Sequence, residues 1–122
     1  MASRLGIVVI VEDDAVIALA LEEAMRDAGA ERVITIACAA EAMAALADVV
    51  PTVLVLDLSL SDSEDGYGVA EVALELFHPP PQVFFSTGSP ERIPPHLAKR
   101  GMIFTKPYDP ADLARKAATG AG

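Results

Sequence analysis

Cysteine, basic charge and long apolar runs are all scarce in this chain of 122 residues, and each shortage closes off a class of protein. The single cysteine, Cys38, excludes an internal disulfide framework and is compatible with a reducing cytoplasm. It reads as a small hydrophobe at a strand end. The start, Met1 to Leu5, carries one arginine but no long apolar segment, and the run Ile7 to Val11 is far too short to span a bilayer. A soluble, unexported, cytoplasmic protein with no membrane partner is expected. Nine Lys and Arg stand against 18 Asp and Glu, a net charge of −9, which argues against direct binding of nucleic acid, where phosphate neutralisation supplies the affinity. There is no internal repeat, low-complexity tract or linker. The reading is one domain over residues 1–122, with 119–122 as a frayed tail.

The charge is unevenly placed. Residues 1–90 hold fifteen acidic and three basic residues, whereas residues 91–122 hold three acidic and six basic ones. Arg92, Lys99, Arg100, Arg115 and Lys116 are either ordinary solvated positions or a surface suited to an acidic protein partner.

Strand and helix periods alternate along the chain. Ile7 to Val11 is an apolar run, and Ala15 to Ala28 follows with Val16, Leu19, Ala20 and Ala24 as a helical stripe, Asp14 as N-cap and Gly29 as stop. Arg32 to Cys38 is β-branched, and an alanine-rich helix is expected from about Ala39 to Ala47. Val53 to Leu56 suits a strand covered on both faces. After a polar loop over Leu58 to Asp65, Tyr67 to Phe77 reads as a helix ended by Pro79 to Pro81, and Val83 to Phe85 as a strand. The fourth helix belongs at Pro90 to Arg100, but Pro94 and Pro95 fall inside it, so it should be short or irregular. Met102 to Phe104 is the fifth strand, and Pro110 to Ala118 is a last helix capped by Asp109. This pattern gives an α/β fold: a doubly wound, five-stranded parallel sheet with helices on both faces.

Four of the apolar runs end in different polar residues. The first runs into Glu12, Asp13 and Asp14; the third into Asp57; the fourth into Ser86 and Thr87; the fifth into Thr105, Lys106 and Pro107. In a parallel sheet the carboxyl ends of all strands open at one edge, so these residues should meet there. Three clustered carboxylates repel unless something neutralises them, and an oxygen-only ligand set suits Mg²⁺. Lys106 supplies a fixed positive charge able to hold Asp57 ionised as a nucleophile, and a Lys-Pro pair after a strand implies a tight turn aiming the side chain inward. Thr87 offers a hydroxyl at the remaining corner.

Glu12 and Asp13, Asp57 in Val-Leu-Val-Leu-Asp-Leu, Thr87 after the fourth strand and Lys106 in Thr-Lys-Pro-Tyr-Asp together resemble the receiver domain of bacterial two-component response regulators, over nearly the whole chain. The resemblance implies a flavodoxin-like strand order, 2-1-3-4-5. It also implies that Asp57 takes a phosphoryl group from a phosphohistidine of a sensor histidine kinase or a histidine phosphotransfer protein. Mg²⁺ would be held by Asp13, Asp57, the backbone carbonyl of Ser59 and, through water, Glu12. Lys106 and Thr87 would contact the phosphoryl oxygens, in a phosphoprotein switching protein–protein contacts rather than an enzyme with a separate substrate. The aromatic that normally lies three residues before the lysine is replaced by Ile103, with Phe104 one place later. Thr87, Gly88, Ile103 and Phe104 are therefore the expected switch residues. Phe85 to Gly88 instead look like the Phe-Ala-Thr-Gly motif of an atypical subgroup, often single-domain, and Ser89 to Ile93 is similar to receivers of the general stress response. The loop after Asp57 also departs, with Ser61 where proline is common and with Asp62, Glu64 and Asp65 added.

Rival readings are a phosphatase of the aspartyl-nucleophile type, which needs a second acid where Ser59 stands, and a pseudo-receiver that binds partners without phosphorylation. A fragment of a longer regulator or hybrid kinase is also open, as are the downstream partner and a dimer. His78 and His96 read as ordinary loop residues.

Overall fold

Strand direction follows from the alternation of strand and helix: each βαβ crossover returns the chain to the same sheet, so the strands lie parallel. The computed structural model, which describes residues 5–58 and 66–120, has five strands in the order β2-β1-β3-β4-β5. These are β1 (Ile7–Val11), β2 (Arg32–Ile36), β3 (Val53–Asp57), β4 (Gln82–Thr87) and β5 (Met102–Thr105). The helices are α1 (Ala15–Asp27), α2 (Ala39–Leu46), α3 (Tyr67–Leu76), α4 (Pro95–Ala98) and α5 (Pro110–Gly120), with a 3-10 turn over Pro90–Arg92. All four strand pairs are parallel, and β1, β3 and β4 form the buried centre.

Alternate residues of those strands feed two cores, because side chains in a strand point to opposite faces. On one face Val9, Leu54, Leu56 and Phe85 pack against Ala42 and Leu46 of α2, Ala70 and Leu74 of α3, and Leu97 of α4. On the other, Val8, Ile10, Val55 and Phe84 pack against Leu21 and Met25 of α1 and Leu113 and Ala117 of α5. The polar strand ends all lie at one edge of this sandwich.

Local signals set the boundaries. Asp14 caps α1, its Oδ1 accepting from the amides of Val16 and Ile17 at 2.9 and 3.2 Å, and Gly29 ends it at φ 104, a left-handed conformation that glycine adopts without strain. Asp109 Oδ1 accepts from the Ala111 amide at 2.9 Å. As Pro94 and Pro95 dictate, α4 is only four residues long.

Four expectations need correction. The buried stripe of α1 is not Val16 and Leu19, which are 78% and 56% exposed, but Leu21 and Met25, with Ile17, Ala24 and Ala28 partly buried beside them. Residues 119 and 120 belong to α5 rather than to a frayed tail, and Thr119 Oγ1 donates to the Lys116 carbonyl at 3.0 Å. His96 lies in α4, not a loop, and meets Glu71 of α3 at 3.0 Å. β2 ends at Ile36, two residues short of Cys38, which is instead the N-cap of α2. Ser59 and the loop acids Asp62, Glu64 and Asp65 lie outside the described residues, as does Ser61.

Candidate functional site

Strand register brings the site together. Val11 pairs with Leu56, so the residues that follow, Glu12 and Asp57, emerge side by side; Asp57 pairs with Ser86, Ser86 with Phe104, and Thr87 with Thr105. Carboxylate oxygens of Glu12, Asp13 and Asp57 all lie within 4.8 Å of one another. Glu12 and Asp57 are buried, whereas Asp13 faces solvent. Lys106 arrives from the end of β5, with Nζ 3.3 Å from Glu12 Oε1 and 3.5 Å from Asp57 Oδ1. Its backbone is anchored as well, since the Lys106 amide donates to the Thr87 carbonyl at 2.8 Å. The Lys106–Pro107 peptide is cis.

Burial and charge set the protonation of this cluster. The Glu12 carboxyl is pushed up to about 7, by burial first and then by Asp57, while the Asp14 amide and Lys106 pull the other way. The Asp14 amide donates to Glu12 Oε2 at 3.1 Å, but Oε1 is buried without a hydrogen bond. Burial pulls the Lys106 ammonium down, yet Asp57 and then Glu12 more than offset it, so the pKa is raised and the lysine stays charged. Thr87 is buried at the end of β4, and its Oγ1 accepts from the Ser89 amide at 2.9 Å, closing the first turn of the following loop.

The comparison with known families settles what carries this arrangement: the model of the response regulator receiver domain matches residues 8–118. The chain belongs to the response regulator receiver family. Receivers are two-component signalling domains, and the fold agrees with them throughout. The solution structure of the PhyR response regulator REC domain of Erythrobacter litoralis is 26% identical, with a TM-score of 0.81, covering 98% of this chain and 89% of that one. A structure of the PhyR stress response regulator is 27% identical at a TM-score of 0.68, covering 99% of this chain and 45% of that longer one. The chemotaxis response regulator CheY4 of Vibrio cholerae, at 18% identity and TM-score 0.74 over 97% of this chain and 99% of that one, shares the fold. No curated protein sequence matches the chain. The PhyR likenesses agree with the expected similarity to stress response receivers.

Within this receiver, Glu12, Asp13, Asp57 and Lys106 form one cluster and Thr87 stands at its β4 side. The expected switch residues are spread out. Ile103 is 37% exposed on β5, Phe104 is partly buried with its ring 5.9 Å from that of Phe84, and an added Cβ at Gly88 would meet nothing within 4 Å. The sequence reading named Ser86 only as a strand-end hydroxyl and Tyr108 only within the Thr-Lys-Pro-Tyr-Asp stretch, and it missed their pairing. The Ser86 and Tyr108 hydroxyls lie 2.8 Å apart beside Asp57, and burial raises the Tyr108 pKa although its bond to Ser86 opposes this. The available signal was Ser86 itself, a hydroxyl inside a strand that must find a buried partner.

The acidic trio fits a divalent cation. Glu12 Oε1 is buried and makes no hydrogen bond, with only the Lys106 ammonium near it at 3.3 Å; every ligand atom is a carboxylate oxygen, and the exposure of Asp13 leaves room for water on the ion, as Mg²⁺ requires. Among the described residues, no helix is long and apolar enough to cross a membrane.

Proposed function

We propose that the chain is a phosphoryl-accepting response regulator in which Asp57 is the acceptor. The observation that carries this reading is the buried Asp57 carboxylate with Lys106 Nζ 3.5 Å from Oδ1, inside a carboxylate trio. One Asp57 oxygen attacks the phosphorus of a phosphohistidine presented by a sensor histidine kinase or histidine phosphotransfer protein. The O–P bond forms as the N–P bond breaks, and the imidazole leaves neutral when its other ring nitrogen already carries a proton. Glu12, Asp13 and Asp57, with the Ser59 carbonyl, would hold Mg²⁺, which when bound neutralises charge on the phosphoryl oxygens. Lys106, 3.5 Å from Asp57 Oδ1, meets a phosphoryl oxygen, and Thr87 donates its hydroxyl to another. Catalysis of this kind is positioning and charge neutralisation, which such a sparse site can supply.

A donor must bring its phosphohistidine over Asp57, and the exposed Val16 and Leu19 on α1, just after Glu12 and Asp13, give it an apolar contact. The product is a cytoplasmic phosphoprotein in a bacterial two-component pathway, returned to the resting state by slow self-catalysed hydrolysis. Its output is a change of protein–protein contacts through residues 88–116. Arg92, Lys99 and Lys116 are exposed there for an acidic partner, whereas Arg100 pairs with Glu75 at 3.4 Å and Arg115 with Asp112.

Incubation with acetyl phosphate and Mg²⁺ followed by intact mass tests the reading. One phosphoryl group should add to the wild-type chain and none to Asp57→Asn. An unmodified wild-type chain would leave the fold as a binding module instead.

A further inference from the structure

Ser86 is fully buried and stands beside Asp57 in the register of β3 and β4. Register partners in a parallel pair project from the same face of the sheet, so the two side chains are neighbours across one strand spacing of about 4.8 Å. The hydroxyl of Ser86 is met by that of Tyr108 at 2.8 Å. Tyr108 lies two residues after Lys106, and its ring stands edge-on to Phe104 with centroids 5.4 Å apart. Phe104 in turn packs against Phe84, so the tyrosine is propped from below by the core.

The turn carrying Lys106 is thus tied to two consecutive residues of β4. The Lys106 amide donates to the Thr87 carbonyl at 2.8 Å, and Tyr108 reaches Ser86 through its side chain. We propose that Tyr108 and Ser86 form a clasp that positions Lys106 against Asp57 for phosphoryl transfer. The clasp rests on the phosphoryl-acceptor reading and adds to it the residues that set its geometry. Tyr108 is a positioning residue, acting through the lysine rather than on the phosphoryl group.

Core filling alone does not explain the pair. Phenylalanine and alanine would fill nearly the same space without burying two hydroxyls, and the exchange of both partners for apolar groups is close to neutral in stability. What the hydroxyl bond adds is direction: it fixes where the Tyr108 ring stops along β4, and with it the turn from which Lys106 springs. A lysine side chain has several rotatable bonds, and a fixed turn reduces the ordering its ammonium must undergo to reach Asp57.

The test measures phosphorylation rates at saturating acetyl phosphate and Mg²⁺ for wild type, Tyr108→Phe, Ser86→Ala and the double variant, and for Tyr108→Phe in a Lys106→Ala background. Each single change is expected to slow the reaction roughly tenfold, the size of one lost buried hydroxyl bond, and the double change no further. Ser86→Thr, which keeps the hydroxyl, should retain the rate. In the Lys106→Ala background, Tyr108→Phe should change the rate by less than about twofold, whereas a general loosening of the site would still slow it. A second readout needs no phosphoryl donor: the chain has three lysines, Lys99, Lys106 and Lys116, and the side-chain NMR signals of Lys106 alone should move in Tyr108→Phe and Ser86→Ala. A wild-type rate in Tyr108→Phe, a loss that persists without Lys106, or an unmoved Lys106 signal overturns the clasp. Failure of the wild-type chain to accept a phosphoryl group overturns the acceptor reading by itself, and the lysine signals then decide the clasp alone.

Discussion

The Lys106 ammonium lies 3.3 Å from Glu12 Oε1, an oxygen that is buried and has no hydrogen bond. Lys106 is also 3.5 Å from Asp57, so one cation faces two buried carboxylates, with Asp13 at the rim. Charge at this edge is unbalanced as it stands: three carboxylates meet one ammonium. A proton on Glu12 halves the imbalance and a divalent cation cancels it, and the two compete for the same carboxylate.

The first prediction concerns pH. Glu12 titrates at about 7 in the folded chain against an ordinary value of 4.5, so the folded state holds this proton more tightly than the unfolded one. The resulting stabilisation is fully present below the ordinary value and is lost as pH rises through about 7. Denaturant titrations without metal should show wild type losing on the order of 3 kcal/mol relative to Glu12→Gln between these limits. Mg²⁺ should reverse the loss, with an affinity that climbs as Glu12 deprotonates. Parallel pH curves for wild type and Glu12→Gln would show that Glu12 is ionised throughout.

Removal of the cation should separate metal binding from transfer. Lys106→Ala leaves the carboxylates uncompensated, so Mg²⁺ should bind more tightly by a few-fold, read by calorimetry. Phosphorylation from acetyl phosphate should nonetheless slow by roughly 10²–10³, the range seen when one fixed charge-stabilising donor is lost. Equal weakening of both would mean that the variant has collapsed the site.

The packing of α1 gives a third test. Leu21 and Met25 are fully buried against β1 and α5, and Leu21→Ala or Met25→Ala should each cost about 2–5 kcal/mol. Val16→Ala and Leu19→Ala, on the exposed face, should change stability by less than about 0.5 kcal/mol. Chemical denaturation distinguishes the two pairs. A large loss at Val16 or Leu19 would restore the stripe suggested by spacing.

That helix shows why part of the fold was legible in the sequence and part was not. Strand ends and breakers are local signals: Asp57 after four buried apolar residues, Lys106 before Pro107 and the prolines that shorten α4 all stand out without tertiary information. The face of α1 is a matter of contrast. Alanines at 15, 18, 20, 24 and 28 make several helical stripes nearly equivalent in apolarity, and only the sheet beneath chooses Leu21 and Met25 over Val16 and Leu19. The Ser86–Tyr108 bond was illegible for a different reason. It joins residues on two elements, and although Ser86 stands out as a hydroxyl at the end of an apolar strand, nothing local names Tyr108 as its partner.

The last prediction concerns the response of residues 88–116. Thr87 Oγ1 accepts from the Ser89 amide at 2.9 Å, so a phosphoryl oxygen that draws on the Thr87 hydroxyl must pull on the loop that begins there. Beyond it the chain is lightly held. Tyr67 donates to the Arg92 carbonyl at 2.6 Å, and two exposed pairs, His96 with Glu71 and Arg100 with Glu75, tie α4 and its C-terminal end to α3. Exposed pairs contribute little, so the Tyr67 bond and the burial of Ile93 and Leu97 hold most of this segment. Amide hydrogen exchange with Mg²⁺ and beryllofluoride as phosphoryl mimic should change chiefly within residues 88–116. Tyr67→Phe without the mimic should speed exchange around Arg92 and Ile93 roughly fivefold, the effect of losing about 1 kcal/mol from a local opening equilibrium. A response confined to β2 or α2 would show that the signal leaves the site by another route.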